Sequence, residues 1–150
     1  MIMKKLLPLL FVTLFFAVGC SSSKLKKDSE RIAFEYEAVT MMGYNKVIVK
    51  QDTVITFTSR AVKDAVTTGL KNGEWNKMLT ALEKVELDKV SKLKAPSAGY
   101  ASDAAPAANL TIIKNNTTYR SAVFDHGNPP AEIKELVTKI VNASALKNKR

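Results

Sequence analysis

Residues 31–39, RIAFEYEAV, put Ile32, Phe34, Tyr36 and Ala38 in one phase and Ala33, Glu35 and Glu37 in the other. A two-residue period is that of a β-strand with one buried face, so this stretch predicts a strand whose even-numbered side chains enter a core. Met41–Tyr44, with Gly43, reads as the turn that follows. Residues 45–49 (NKVIV) and 54–58 (VITFT) are two further β-branched runs, divided by the polar pair Gln51 and Asp52. Three strands in a meander follow most simply. Residues 60–71 carry no clear pattern.

Further along, Asn72 and Gly73 offer a cap and turn before Glu74, and Trp75, Met78, Leu79, Leu82 and Val85 recur at helical spacing. Leu87, Val90 and Leu93 either prolong that helix or form a short second turn. Residues 95–108 (APSAGYASDAAPAA) have no period and read as a long loop, a kind of segment that is usually functional or mobile. Asn109–Ile113 and Thr117–Phe124 then bracket Lys114, Asn115 and Asn116, which predicts a hairpin, since asparagine tolerates the positive φ of a tight turn. Asn128 reads as a helix cap, with Pro129 and Pro130 in the first turn, where their missing N–H groups cost nothing. Ile133, Leu136, Val137, Ile140 and Val141 supply the apolar stripe. The expected fold is α+β: an antiparallel sheet of about five strands with two main helices packed on one face, in two layers. A single domain over 31–143 and a basic tail over 144–150 complete the expectation.

Ahead of this body, Lys4 and Lys5 precede the uncharged run 6–17 (LLPLLFVTLFFA), the two parts of a secretory signal peptide. The run is shorter than the roughly 20 apolar residues of a spanning helix and is followed by the polar stretch 21–27. Ala17, Val18, Gly19 and Cys20 resemble a lipobox, with Ala17 standing where leucine is usual. The expectation is a signal over 1–19, cleavage between Gly19 and Cys20, and a lipid on Cys20, followed by a flexible tether over 20–30. Cys20 is the one cysteine of the chain, so no internal disulfide can form. Ser21 stands where an aspartate would resemble an inner-membrane retention signal, and the tether has no acidic run. Both point to the outer membrane, facing the periplasm.

Removing the signal leaves roughly 130 residues, enough for one hydrophobic core. The chain carries a formal charge of +9, of which Lys4 and Lys5 leave with the signal. Lys24, Lys26 and Lys27 lie in the tether and Lys147, Lys149 and Arg150 in the tail, so the body is less basic than the total. Basic residues held at an anionic membrane gain about 1 kcal/mol each, which makes anionic lipid or an envelope protein the expected partner besides the membrane reached through the lipid anchor. Nucleic acid is not expected, because no basic face patterned with aromatics is visible.

One histidine and a lipidated cysteine cannot make a standard zinc set, and no metal or cofactor is expected. His126 follows Asp125, but neighbours on an extended chain point to opposite sides, which makes Asp125 a poor orienting partner for the imidazole. No nucleophile elbow is present, and no catalytic residue is nominated. Trp75 shares the phase of Met78 and Leu82 and reads as a core anchor. Tyr100, alone among small residues, either pins the loop or meets a partner. Tyr100, Asp103, Arg120, Asp125 and His126 are the candidate ligand or partner surface.

Tyr36–Thr40 (YEAVT), Trp75, Ala95–Ser97 (APS), Asp103–Ala105 (DAA) and Phe124–Pro130 (FDHGNPP) resemble uncharacterised small lipoproteins of Bacteroidetes type over most of residues 31–141. The resemblance implies an envelope compartment and a single domain, and no activity. The expected function is a lipid-anchored, non-catalytic binding or interaction module. The alternatives are a small envelope hydrolase using Asp103, Asp125 and His126, or a structural envelope protein.

Overall fold

The computed structural model describes residues 31–148, so the expected signal peptide, Gly19–Cys20 cleavage site, lipid on Cys20 and tether lie outside the described residues. Strand β1 (Ile32–Val39) alternates buried and half-buried residues along its whole length, as its period requires. It pairs antiparallel with β2 (Tyr44–Lys50) on one side and with β5 (Ala107–Lys114) on the other, which makes it a central strand. β3 (Thr53–Phe57) and β4 (Val66–Gly69) extend the meander beyond β2, and β6 (Thr117–Arg120) closes the far side. The sheet order is β4-β3-β2-β1-β5-β6, with a two-residue β7 (Phe124–Asp125) also pairing with β5.

The architecture is α+β, with more strands than the five expected. β4 is one addition. It came from the unpatterned stretch 60–71, and all four of its residues are exposed, so no alternation of apolar and polar residues marks it. The β5–β6 turn forms as expected, with Asn115 at φ 51° and Asn116 at φ 65°. Such paired positive values match a two-residue hairpin turn to the twist of the strands.

Helix α1 (Glu74–Glu83) buries Trp75, Met78, Ala81 and Leu82, and α2 (Ala131–Ala143) buries Ile133, Leu136, Val137 and Ile140. Both lie on the face of the sheet that presents Phe34, Tyr36, Val47, Val49, Leu110 and Ile112, and all these side chains share one core. Two helix starts differ from expectation. Gly73, not Asn72, stands at the cap of α1, in the left-handed region (φ 82°) that costs glycine nothing. Pro130 occupies the cap of α2, so the prolines precede the helix instead of filling its first turn. Asn128 is engaged elsewhere: its backbone N–H reaches the Asp125 carbonyl at 2.9 Å. Leu87–Lys92 forms the short second turn, as a 3-10 helix that buries Val90.

The packed body runs beyond residue 143. Ser144 donates to the Val141 carbonyl at 2.7 Å, the Ala145 N–H meets Thr56 Oγ1 at 3.2 Å on β3, and Leu146 is buried. Among the described residues, neither α-helix lies on the opposite face of the sheet. Its half-buried residues are laced by ion pairs, Lys46–Glu35 at 2.8 Å and Arg120–Glu37 at 3.7 Å.

Trp75 fixes α1 to the sheet: its ring lies 5.6 Å from that of Phe34, tilted by 51°. Its indole N–H is buried without a partner among the described residues, so apolar packing alone holds it. Phe34 is fully buried on the central strand beneath that ring. Phe34→Ala is expected to cost about 3–5 kcal/mol, the range for emptying a phenylalanine site in a core. Urea denaturation followed by tryptophan fluorescence measures it.

Candidate functional site

A single irregularity between β6 and β7 separates Arg120 from His126. Ser121 stands opposite Leu110: its N–H reaches the Leu110 carbonyl at 2.8 Å, and its hydroxyl accepts the Leu110 N–H at 3.0 Å. That hydroxyl also donates to the Ala122 carbonyl at 2.8 Å. Pairing resumes with Phe124 opposite Ala108. Three steps along this strand therefore match two along β5, which is a β-bulge of one extra residue.

The extra residue shifts the phase. An unbroken strand over 117–124 would put Tyr119 and Phe124 on opposite faces, yet both turn toward the core, with Phe124 wholly buried and Val123 exposed. His126, two residues after Phe124, comes to the same side. It reaches Tyr36 of β1, with Nδ1 2.7 Å from the phenolic oxygen and the rings 5.9 Å apart. Asp125 turns the other way.

Asp125 is wholly committed to the long loop. Its carboxylate accepts the Ser97 hydroxyl at 2.5 Å, the Gly99 N–H at 2.9 Å and the Tyr100 N–H at 2.7 Å. The Ser97 hydrogen bond, followed by the two backbone bonds, holds its carboxyl below the ordinary value of 3.8, against burial, which pushes it up. Asn128 adds a bond from its side-chain amide to Ser97 Oγ at 2.8 Å. Gly99 permits the approach, since a Cβ there would stand 3.2 Å from the same carboxylate oxygen. The loop is thus pinned through its backbone, and the Tyr100 ring stays half-exposed. Asp103 is exposed at the end of the 3-10 turn Gly99–Ser102, in the left-handed region at φ 55°. Arg120 lies on the outward face of the sheet, beside Glu37.

The five nominated residues therefore do not converge. Asp125 and Tyr100 belong to a loop clamp, His126 to a pair with Tyr36, and Arg120 to the opposite face. No group of three or more histidine, cysteine or carboxylate side chains placed to hold a metal occurs among the described residues. What does gather around His126 is a hollow of about 240 Å³ lined by side chains that the sequence nominated for the core, the tail or nothing at all. Tyr36 and His126 form one wall. Lys134, Val137, Thr138, Val141 and Asn142 of α2 form another, and Leu146 also contributes. The i, i+3, i+4, i+7, i+8 spacing along α2 puts these five on one helical face, a signal present in the sequence but without a partner until β1 and His126 are placed.

Burial pushes the Tyr36 phenol far above its ordinary value of 10, so it keeps its proton. It is the natural donor to Nδ1, which leaves Nε2 carrying the imidazole's own proton. Partial burial lowers His126 below its ordinary value of 6.5 and favours that neutral form. The pair thus presents one N–H and no charge at neutral pH. No family model matches the chain, and neither a curated protein nor a solved structure matches it.

Two outcomes follow. In Asp125→Asn the Gly99 and Tyr100 amides are expected to exchange with solvent roughly tenfold faster or more, as charge-assisted acceptors are lost. Hydrogen exchange by NMR reads this directly. The lowered His126 value means that the unfolded chain takes up its proton first as pH falls from about 6.5, so stability declines with pH until the folded imidazole also titrates. His126→Gln is expected to remove that part of the slope, seen by urea denaturation between about pH 5 and 8.

Proposed function

We propose that the chain is a lipid-anchored envelope protein whose exported domain is a non-catalytic binding module. The address rests on the sequence: a positive leader, an uncharged run, and Cys20 after small residues. The resemblance to small lipoproteins of Bacteroidetes type points the same way, and Ser21 favours the outer membrane with the domain facing the periplasm. Several acyl chains at one residue anchor stably, because each buried methylene contributes about 0.8 kcal/mol.

The observation that carries the binding reading is the hollow beside the Tyr36–His126 pair. Its described lining residues include no serine, cysteine or carboxylate, and the Thr138 hydroxyl already donates to the Lys134 carbonyl at 2.7 Å. A triad needs a carboxylate on the imidazole and a nucleophile within reach. Nδ1 here meets a phenol, and Asp125 faces away into the loop clamp. That arrangement favours the binding reading over a hydrolase built from Asp103, Asp125 and His126. Tyr36 also stands about 13 Å along β1 from Ile32, at a rise of about 3.3 Å per residue, so the hollow lies away from the strand end that leads to the tether.

Metabolic labelling with an alkyne fatty acid is expected to mark the wild-type protein and leave Cys20→Ser unmarked and released from the membrane fraction. An unmarked wild type would overturn the anchor. A fragment screen by NMR is expected to yield compounds that shift the methyl signals of Val137 and Val141. A screen in which no compound moves them would overturn the binding reading.

A further inference from the structure

We infer that the hollow beside His126 receives a small carboxylate carrying a short aliphatic tail. This ligand class deepens the binding reading and rests on it. The charge of the lining sets the head group. Among the described lining residues Lys134 carries the one formal charge, and no carboxylate opposes it. Positions three and four away on α2 are Pro130, Ala131, Val137 and Thr138, none of them acidic, so Lys134 has no intrahelical ion-pair partner at the usual spacing. The adjacent Glu135 is taken by Lys84 at 2.8 Å and Lys139 at 3.4 Å. An unopposed ammonium at a concave site attracts an anion, and low-dielectric walls strengthen that attraction.

The neutral histidine supplies direction. With Nδ1 held by Tyr36, the ring offers Nε2–H, a donor suited to a carboxylate oxygen. Tyr36 is itself fully buried on the central strand, so the donor is set before any ligand arrives and costs little to order.

The tail follows from the rest of the lining. Val137, Val141, Leu146 and Pro129 are apolar, which a fully hydrated ion such as phosphate would not use. Lys134 and Val141 are seven residues apart on one helix, about 10 Å along its axis at about 1.5 Å per residue. A carboxylate bound near Lys134 can therefore extend a chain of a few carbons along the helix. The hollow, at about 240 Å³, is smaller than the roughly 300–1,000 Å³ of pockets for drug-sized ligands, so the tail is short.

The test is an NMR titration of the purified full chain with four probes: hexanoate, n-hexylamine, hexanol and inorganic phosphate. Hexanoate is expected to shift the methyl signals of Val137, Val141 and Leu146 together with the His126 ring, hexanol to bind more weakly, and hexylamine and phosphate to leave these signals in place. Lys134→Met keeps the exposed aliphatic stem and the fold, and is expected to weaken hexanoate binding roughly tenfold or more, the loss of one charge-assisted contact. Hexylamine binding as well as hexanoate, or an unchanged hexanoate affinity in Lys134→Met, would overturn the carboxylate assignment while leaving a binding site in place. Silence from all four probes, in a protein for which a broader fragment screen also finds nothing, overturns both.

Discussion

The structure depends on the burial of Phe34 and Tyr36 from a strand that is hydrogen-bonded along both edges. β1 is flanked by β2 and β5, so its register with each decides which side chains share the core face. Slipping it by one residue would turn Phe34 and Tyr36 outward and bring Glu35 and Glu37 into an apolar core. The helices are consequences of that face. α1 meets it through Trp75 on Phe34, and α2 lies beside α1 with Ile133, Leu136 and Ile140 wholly or almost wholly buried. The outward face keeps its carboxylates solvated and paired, with Glu35 on Lys46 and Glu37 on Arg120. Exposed pairs of this kind contribute little stability, about 0.2–1 kcal/mol each, and serve mainly to keep one face polar.

Tyr36 links that core to the site. Its ring packs 6.3 Å from Phe124 inside the protein, while its hydroxyl emerges at the hollow to hold His126. A buried phenol must find a partner, and an imidazole so engaged is fixed in both orientation and tautomer. The β-bulge at Ser121–Phe124 makes the contact possible, because the one extra residue carries His126 to the core side. The same step sends Asp125 to the opposite side, where three donors from Ser97, Gly99 and Tyr100 order a loop that has no secondary-structure pattern of its own. Two adjacent residues thus serve two different ends, one clamping the loop and one lining the hollow.

The core and the helix layer were legible because they depend on local period. The alternation of 31–39, the β-branched runs after it, the Asn115–Asn116 turn and the helical stripes each require a pattern within a few residues, and each appears where expected. β4 was not legible, since an exposed edge strand needs no alternation. Nor was Asp125 as the loop's clamp, because its partners lie 25 to 28 residues earlier in the chain. Arg120 and His126 seemed close in sequence, yet they stand on opposite faces of the sheet.

By itself the sequence determined the α+β class, the apolar face of β1 and the stripes of both helices, all of them matters of short-range spacing and composition. It also separated Asp125 from His126, from the geometry of extended neighbours. Only the tertiary structure decided which side each one takes, because a single-residue bulge reverses the phase and leaves no mark in hydrophobic pattern. It likewise decided that Tyr36, Lys134 and Leu146 share a hollow. These three come from the first strand, the last helix and the turn beyond it, and only the packing of that helix against the central strand brings them together.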